Sequence, residues 1–582
     1  MKEEIKTQGK NTKNQEKQKI TGSEAIIRSL IAEGVDVIFG YPGGAIMPIY
    51  DALMNFEGKI THILTRHEQG AIHAADAYAR VTGKVGVVFA TSGPGATNLV
   101  TGIANAMMDS IPIVAITGQV TAPLLGSDAF QETDVVGITM PITKWNYLVT
   151  KPEEIPWVLS WAFYIARTGR PGPVVIDVAK NAQMGLLEYE YKKCYYIRSY
   201  NPDPKIDISK INEAAKLINT AKKPYILFGH GIILADAVNE FREFIDKSGI
   251  PAAWTLLGKT ALPTDHPLNV GMLGMHGNYA PNIKTNECDL LVAIGMRFDD
   301  RVTGDLNRYA KQAKIIHFDI DPAEINKNVK VNVPIIGDVK KTLPLLTERI
   351  EKRDHSAWLQ EFKELEKIEF EKVIRKDFYP EKGGIRMGEV IRIVNEFVDG
   401  DAIFVTDVGQ NQMFAARYCK VKYPRSFITS GGLGTMGFGL PAAHGAQIAS
   451  PDKKVILFVG DGGFQMTIQE LGAIYQTGAP IKIVLLNNKF LGMVRQWQEL
   501  FFEKRYSETY LINPDFVKIA EGYFIKGRKV EDRKDLEGAI KEMLEHKGPY
   551  LLEISVEKED NVFPMVPAGA SVSEILLGNN NE

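Results

Sequence analysis

The chain has 582 residues, with 68 Lys and Arg against 71 Asp and Glu, so its net charge at pH 7 is −3. This balance excludes the basic field typical of nucleic-acid-binding proteins and gives no strong attraction to anionic lipid. The length exceeds that of a single hydrophobic core several times over, which predicts about three domains.

The segment 1–19 is rich in Lys, Glu, Gln and Asn and is predicted to be a disordered tail. It has neither the apolar stretch of a signal peptide nor the acid-poor composition of a transit peptide. No apolar run in the chain approaches the roughly 20 residues of a membrane span. The three cysteines, Cys194, Cys288 and Cys419, are expected to be reduced, buried thiols of a cytoplasmic protein.

A first α/β domain is predicted for residues 20–185. Thr21–Glu24, TGSE, fits a capping box at the start of a helix. Short β-branched runs such as VDVIFG, VGVVFAT and IPIVAITG then alternate with helical patterns. Runs of this kind predict a parallel sheet covered by helices on both faces. The Tyr-rich segment 186–204 is expected to be a linker.

The same alternation restarts twice. Residues 205–347 contain PYILFGHG, DLLVAIG and KIIHFDID, and a charged helical linker is predicted for 348–376. Residues 377–582 contain AIFVTDVG, KVILFVGDGGF, IKIVLLNN and YLLEISV. The predicted fold is therefore α/β, with three doubly wound parallel-sheet domains.

The strongest local signal is VGDGGF followed by LLNN. Asp461 and Asn488 each end a predicted strand, with one predicted helix, Gln465–Thr477, between them. Because ligands bind beyond the carboxyl ends of parallel strands, we expect the two side chains to converge there. A carboxylate, an amide oxygen and a backbone carbonyl suit a magnesium ion that also binds phosphate. Taken alone, GDG is also a common turn.

With the NN motif at this interval, the pattern resembles the thiamine-diphosphate signature. Almost the whole chain, from about Ile20 to Leu577, resembles the catalytic large subunits of acetohydroxyacid synthase, also called acetolactate synthase. The stretches that carry the resemblance include TRHEQGAIHAADAYAR, TSGPGATN, GSDAFQE, RFDDRVTG, TSGGLGTMGFGLPAA and NNKFLGMVRQWQ.

The resemblance implies a pyrimidine-binding first domain, an FAD-binding central domain, and a diphosphate-binding third domain whose C-terminal tail covers the active site. It implies decarboxylation of pyruvate with thiamine diphosphate and Mg²⁺. The two-carbon unit would be joined to a second pyruvate, giving 2-acetolactate, or to 2-ketobutyrate, giving 2-aceto-2-hydroxybutyrate. This would be the first common step of valine, leucine and isoleucine biosynthesis.

Glu68, in RHEQGA, matches the family's glutamate that hydrogen-bonds N1′ of the aminopyrimidine and so promotes loss of the C2 proton. The reaction needs one carboxyl able to share a proton in an apolar setting. The alternative is a carboxylate placed at a helix start by the helix dipole. Both roles are compatible.

The other thiamine-diphosphate contacts follow from the resemblance as well. Asn411 stands where the family usually has His, so it can donate a hydrogen bond to a phosphate but carries no charge. The loop GGLGTMG could otherwise be only a tight turn. The remaining implied contacts are Gln410, Gly434, Met436, Gly460, Gly462, Gly463 and Met493, and the implied metal ligands are Asp461, Asn488 and the backbone carbonyl of Phe490.

Substrate selection is also read from the resemblance. Phe130 and Gln131 lie where related decarboxylases carry paired histidines, and this chain has no His-His pair, which favours ligation over aldehyde release. Arg301 matches the arginine that binds the second ketoacid's carboxylate, and Lys180 matches a lysine of the access channel. Trp497 matches the aromatic wall that favours 2-ketobutyrate, although an isolated Trp is more often a core or interface residue.

The central domain is expected to hold FAD in a structural, non-redox role. His276 could instead be an ordinary hydrogen-bonded histidine. The residues implied by the resemblance are Arg170, Gly229, Gly231, Met275, His276, Arg297, Arg301, Asp319, Ile320 and Asp338.

Two alternatives stay open at this point. One is another thiamine enzyme on the same scaffold, such as a pyruvate oxidase or sulfoacetaldehyde acetyltransferase. The other is a non-catalytic paralogue, against which the presence of Glu68, Asp461 and Asn488 argues. The family pattern also implies a homodimer, or a dimer of dimers, with active sites at the subunit interface, and a small regulatory subunit as a further partner.

Overall fold

The computed structural model describes residues 19–578. The tail predicted for 1–19 therefore lies outside the described residues except for Lys19, which begins the first strand. Three six-stranded sheets, each built only of parallel pairs, follow one another along the chain. The predicted class, three doubly wound α/β domains, is confirmed. The limits predicted for the domains and linkers stay predictions.

The first sheet has the order β3-β2-β4-β5-β7-β6, and β1 pairs antiparallel with β8 beside it. Its central strands are buried along their whole length, as their continuous apolar runs predict. The strands are β1 Lys19–Thr21, β2 Val37–Gly40, β3 Thr61–Leu64, β4 Gly86–Ala90, β5 Ile113–Gln119, β6 Trp145–Val149, β7 Pro173–Ala179 and β8 Leu186–Glu188. The helices are α1 Gly22–Ala32, α2 Met47–Leu53, α3 Glu68–Thr82, α4 Pro94–Thr97, α5 Val100–Asp109, α6 Val135–Thr139, α7 Ile155–Arg167 and α8 Lys180–Met184.

The central sheet has the order β11-β10-β9-β12-β13-β14. The chain order reverses between β9 and β12, which is the point where doubly wound sheets bind nucleotides. The strands are β9 Pro224–Phe228, β10 Ala252–Trp254, β11 Asn269–Met272, β12 Leu290–Ile294, β13 Lys314–Asp319 and β14 Val333–Ile336. The helices are α9 Ile208–Thr220, α10 Gly231–Leu234, α11 Val238–Ser248, α12 Tyr279–Thr285, α13 Asp300–Thr303 and α14 Val339–Arg349.

A helical segment leads to the third domain. It consists of α15 Ser356–Glu369, a π-helical turn Phe370–Ile374 and α16 Arg375–Phe378. Trp358 and Phe362 of α15 pack in the core of the central domain.

The third sheet has the order β16-β15-β17-β18-β20-β19. Its strands are β15 Ile403–Thr406, β16 Phe427–Ile428, β17 Val455–Gly460, β18 Lys482–Asn487, β19 Lys526–Val530 and β20 Tyr550–Ser555. Its helices are α17 Met387–Val398, α18 Gln410–Tyr418, α19 Gly439–Ala449, α20 Asp461–Met466, α21 Leu471–Thr477, α22 Gly492–Phe501, α23 Phe516–Gly522 and α24 Arg533–Glu545.

The first and third domains of the chain are joined by α3 and α19. A Cβ atom on Gly445 would overlap the backbone carbonyl of Ala74, so the two helix backbones lie against each other. Ala77 of α3 is fully buried in the core of the third domain. Glu470 adds a polar contact, because its carboxylate accepts the backbone N–H of Arg66 at 3.0 Å.

Three details differ from the sequence-based expectations. Thr21 caps α1 by accepting the N–H of Glu24 at 3.2 Å, but the Glu24 carboxylate pairs with Arg28 and the reciprocal half of the capping box is missing. The single helix expected at Gln465–Thr477 is two helices, the first of which begins at Asp461. Cys194 is only half-buried, although all three thiols are free as expected.

Between residues 19 and 578, none of the helices combines the length and apolar character needed to cross a membrane.

Candidate active site

Asp461 and Asn488 follow neighbouring strands, β17 and β18, as predicted. Burial raises the pKa of Asp461 to about 6, and hydrogen bonds, first that from Asn513 and then those from backbone N–H groups, partly offset that rise. Asn513, which the sequence reading missed, donates its amide to the Asp461 carboxylate at 2.6 Å and to Asn487 Oδ1 at 3.0 Å. The two strand ends thus carry a carboxylate and an amide oxygen side by side.

This donor set fits a magnesium ion. Carboxylate, amide and carbonyl oxygens are the hard ligands that the ion prefers. Within residues 19–578, no three His, Cys, Asp or Glu side chains cluster as a protein-only metal site would require. A cation held here would depend on one carboxylate and neutral oxygens, which leaves positions for phosphate oxygens.

The three glycines of the GDGGF motif are required for different physical reasons. A Cβ atom on Gly460 would meet nothing nearer than Asn411 Oδ1 at 3.5 Å, so this backbone is open to a close ligand. A Cβ atom on Gly462 would lie 2.7 Å from Leu491, and one on Gly463 would overlap the Asp407 carboxylate. The expectation that all three glycines serve phosphate approach is supported only at Gly460.

The two amides predicted to contact the diphosphate are already engaged. Asn411 donates both its amide hydrogens to backbone carbonyls, those of Asp407 and Phe458, so the predicted donation to a phosphate is not supported. Gln410 donates to Gln496 and to the carbonyl of Asp560. Gln410 Oε1 accepts from Asn488 at 3.3 Å, which links it to the predicted metal ligand.

The loop with Gly434 and Met436 is fixed from two sides. Gly434 has φ +67°, a conformation that favours glycine. Asp407, at the end of β15, accepts the backbone N–H groups of Gly437 and Gly439, and burial raises its pKa to about 6. The sequence reading did not single out Asp407, although its place after a strand is the signal that identified Asp461.

The other anchor of this loop comes from the first domain. Asp109 accepts the N–H of Gly431 at 2.9 Å and that of Gly432 at 2.6 Å. Arg80 pairs with Asp109 at 2.7 Å in a buried position. Asn105 Oδ1 accepts from the hydroxyl of Ser430 at 2.6 Å. The first domain therefore determines where the loop of the third domain lies.

Glu68 is buried at the first turn of α3, with 8 % of its surface exposed. Asn98 donates to its Oε2 at 3.0 Å, and Oε1 lies 3.3 Å from where a Cβ atom on Gly95 would be. In the described part of the chain, no hydrogen bond or ion pair joins Glu68 to the third domain. The predicted helix-start position is confirmed, and the carboxyl faces its own domain's loop.

The substrate residues fall into two groups. Phe130 is 88 % exposed, and Lys180 donates to the carbonyl of Gly44 at 3.2 Å. Gln131 has φ +60°. These three belong to the first domain. Arg301 and Trp497 come together elsewhere, with the guanidinium carbon 5.9 Å from the indole centroid. Trp497 is half-buried on α22, so it is not a core residue, and the alternative of an interface tryptophan stays a prediction.

A cavity of about 230 Å³ adjoins Arg301. The C-terminal segment covers it, because the N–H of Val566 donates to the carbonyl of Met275 at 2.8 Å and the N–H of Asp305 to that of Ala570 at 3.0 Å. Its lining consists of Met275, Asp300, Arg301, Gly304, Val566, Pro567, Ala568, Gly569 and Val572.

The expected FAD residues mostly follow central strands, on the side where a nucleotide would bind. Gly229 and Gly231 lie against Gly295, where any Cβ atom would collide with backbone. The Nδ1 atom of His276 is buried without a hydrogen-bond partner, and burial lowers the pKa of this residue to about 3. An orphaned polar atom of this kind fits a bound ligand, so the ordinary hydrogen-bonded alternative for His276 is not supported.

Other members of the set have partners within the chain. Burial raises the pKa of Asp319, at the end of β13, to about 7. Asp338 caps α14 by accepting the N–H of Lys340 at 2.9 Å. Arg170 pairs with Glu324 at 2.9 Å. Ile320 follows β13, and Arg297 reaches toward Gly432 of the third domain.

Three family models match the chain. They are the N-terminal TPP binding domain, the central domain and the C-terminal TPP binding domain of thiamine pyrophosphate enzymes, over residues 20–138, 211–346 and 407–554.

Full-length relatives are similar as well. The chain is 48% identical to a probable acetolactate synthase large subunit of Methanocaldococcus jannaschii, over 95% of both chains. It is 47% identical to the acetolactate synthase isozyme 2 large subunit of Escherichia coli K12, over 96% of this chain and 99% of that one. It is 47% identical to the acetolactate synthase large subunit of Lactococcus lactis, over 96% of each.

Proposed function

The chain belongs to the acetolactate synthase large subunits of the thiamine pyrophosphate enzyme family, and from this membership we propose its reaction and the roles of its residues. It is an enzyme that decarboxylates pyruvate and joins the two-carbon unit to a second pyruvate, giving 2-acetolactate. With 2-ketobutyrate as acceptor, the product is 2-aceto-2-hydroxybutyrate. The pathway served is branched-chain amino-acid biosynthesis.

The observation that carries the proposal is the placement of Asp461 and Asn488 at the ends of adjacent strands. These two side chains and the backbone carbonyl of Phe490 would hold Mg²⁺ on the diphosphate, where Gly460 leaves the backbone open. Gly434 and Met436 would contact the aminopyrimidine. Met493, half-buried at the start of α22, is assigned to the same cofactor site.

Thiamine diphosphate supplies the electron sink needed when pyruvate loses CO₂. Glu68 would hold a proton at N1′ of the aminopyrimidine, for which its burial is the support. Arg301 would bind the carboxylate of the second ketoacid through its planar guanidinium. Trp497, beside Arg301, would pack against the acceptor's alkyl group. Phe130, Gln131 and Lys180 would line the approach from the first domain.

FAD would bind at the order reversal of the central sheet, where His276 offers an unpartnered buried nitrogen. The overall reaction transfers no electrons to an acceptor, so the flavin would be structural. Asp338 and Arg170 already have partners within the chain, so each would contact the flavin nucleotide in addition to its present partner.

We propose a homodimer, or a dimer of dimers. The support is that, in the described part of the chain, the hydrogen bond of Glu68 comes from Asn98 of its own domain and none joins it to the third domain, so an adjacent chain would bring Glu68 to the diphosphate site. Because the relatives are named large subunits, we also propose a small regulatory subunit as partner. The free cysteines support a cytoplasmic location.

The test is acetolactate formation from pyruvate, with each of thiamine diphosphate, Mg²⁺ and FAD supplied or left out. We expect acetolactate only when thiamine diphosphate and Mg²⁺ are both present. Acetate with a reduced flavin would identify an oxidase, and no consumption of pyruvate under any combination would favour a non-catalytic paralogue. Either result would overturn the proposal.

A further inference from the structure

Three buried side-chain amides form a hydrogen-bonded row behind the proposed metal site. Gln496, on α22, has no exposed surface, and Gln410 and Asn488 are 4 % and 7 % exposed. Gln410 Nε2 donates to Gln496 Oε1 at 3.0 Å. Asn488 Nδ2 donates to Gln410 Oε1 at 3.3 Å. Gln496 is therefore joined to the proposed metal ligand Asn488 through one intermediate amide.

Backbone groups of Val562 determine which atom of the Gln496 amide is the oxygen and which is the nitrogen. The N–H of Val562 can only donate, and it does so to Gln496 Oε1 at 2.8 Å. The carbonyl of Val562 can only accept, and it does so from Gln496 Nε2 at 3.1 Å. Gln496 must therefore present its oxygen to Gln410.

The orientation of the Gln496 amide determines that of Gln410. Its Nε2 must face Gln496 Oε1, and it also donates to the carbonyl of Asp560 at 3.1 Å. The oxygen of Gln410 therefore faces Asn488 and accepts a hydrogen bond from the Asn488 amide nitrogen.

The bonds at Asn488, the last of the three amides, support the same orientation. The N–H of Phe490 donates to Asn488 Oδ1 at 3.0 Å, so this atom is the oxygen by an independent criterion. A flipped Asn488 would set an amide nitrogen against that N–H and an oxygen against Gln410 Oε1, leaving buried polar groups unpaired.

Helix α22 leaves room for the contact. It begins at Gly492, where a Cβ atom would overlap Gln410 Oε1 and lie 2.8 Å from Asn488 Nδ2. Any other residue at this position would separate Gln410 from Asn488.

We propose that Gln496 is a positioning residue for the metal site. Held by Val562 and acting through Gln410, it fixes the Asn488 amide in the orientation that offers oxygen, not nitrogen, to a divalent cation. Gln496 touches neither the cation nor the substrate. The inference rests on the proposed role of Asn488 as a magnesium ligand.

The test is calorimetric titration of Mg²⁺ into the full-length enzyme saturated with thiamine diphosphate and freed of metal. Gln496→Met removes both the acceptor and the donor at similar volume, and we expect the Mg²⁺ dissociation constant to rise about 10- to 100-fold, as for other residues that orient metal ligands. Gln496→Glu, buried as the protonated acid, keeps an oxygen that accepts from Gln410 and a hydroxyl that donates to the carbonyl of Val562, so most of the affinity should be retained.

The matched control is Gln447→Met. Gln447 is similarly buried, at 2 % exposure, but within residues 19–578 its amide donates only to the turn that follows α19. Mg²⁺ affinity should not change in this variant. If Gln496→Met does not fold, Gln496→Ser, which is too short to reach Gln410, takes its place.

Wild-type Mg²⁺ affinity in the Met and Ser variants would overturn the inference, as would equal losses in the Met and Glu variants. Asn488→Ala separates this outcome from failure of the proposed site. If Asn488→Ala binds Mg²⁺ normally, the proposed metal site itself is wrong. If it binds weakly while Gln496→Met binds normally, only the positioning role is wrong.

Discussion

The carboxylate of Asp109, at the end of α5, accepts the backbone N–H of Gly432 at 2.6 Å. This bond ties the first domain to the loop that is proposed to contact the aminopyrimidine. Asp109 is buried and also pairs with Arg80, so its charge is balanced inside the protein.

Asp109→Asn should therefore impair stability and cofactor binding together. Removing one member of a buried ion pair costs about 3–5 kcal/mol, and the introduced amide nitrogen opposes one of the two loop N–H groups. We expect a lower thermal midpoint and at least about tenfold weaker thiamine-diphosphate binding by fluorescence titration. Asp401→Asn, which breaks an exposed pair with Lys453, should change neither; unaltered cofactor binding in Asp109→Asn would contradict the anchoring role.

Glu68→Gln should remove the proton-sharing group while preserving shape. Proton transfer by one positioned side chain contributes about 10²–10⁴-fold, so acetolactate formation should fall by that factor while the thermal midpoint stays near that of the wild type. Glu24→Gln supplies the control, since Glu24 also lies in the first turn of its helix, α1, and its carboxylate pairs with Arg28 of the same helix. Activity within about threefold of wild type would remove Glu68 from the reaction.

Glu470 should make stability depend on pH. Burial raises its pKa to about 7, above its unfolded value of about 4.3, so the folded chain binds more protons between these limits. The contribution of Glu470 to stability is therefore fully present below about pH 4 and is lost as the pH rises through about 7.

Glu470→Gln cannot titrate and keeps an oxygen for the N–H of Arg66. Its thermal midpoint should fall less than that of the wild type between about pH 5 and about pH 7.5. Glu371→Gln, at an exposed position paired with Arg375, should follow the wild-type curve. A Glu470→Gln curve parallel to the wild type would show that Glu470 does not titrate in this range.

Thiol reactivity should single out Cys194. It is half-buried, whereas Cys288 and Cys419 are buried and burial raises the pKa of each to about 12. Because the thiolate is the reactive form, an aromatic disulfide reagent should modify one thiol rapidly in the native enzyme and the others only on unfolding. Cys194→Ser should lose the rapid phase, and a second rapidly reacting thiol would contradict the burial.

The sequence predicted those features that depend on local pattern and chain order. Asp461 and Asn488 could be paired because the carboxyl ends of neighbouring parallel strands share one edge of the sheet. Asn513 could not be found this way, since it reaches Asp461 from a loop with no periodic pattern. Gln410 was identified, but its partners Gln496 and Asp560 come from segments that only the folded chain brings together.

The break of the expected helix between the two strands has a similar origin. Thr467 has a non-helical backbone, with φ −135°, and ends α20, while its hydroxyl donates to the carbonyl of Gly437 at 2.9 Å. Gly463 shows the same limit, because a Cβ atom there would overlap Asp407, and the motif alone does not reveal this tertiary contact.

The contact of α3 with α19 has a consequence for synthesis on the ribosome. The two helices are separated by roughly 350 residues, and at about 5–20 residues per second α3 emerges roughly 20 to 70 seconds before its partner. During that interval Ala77, which ends in the core of the third domain, has no surface to cover it. The first domain must therefore wait in an incomplete state, in which binding of a chaperone would have the most effect.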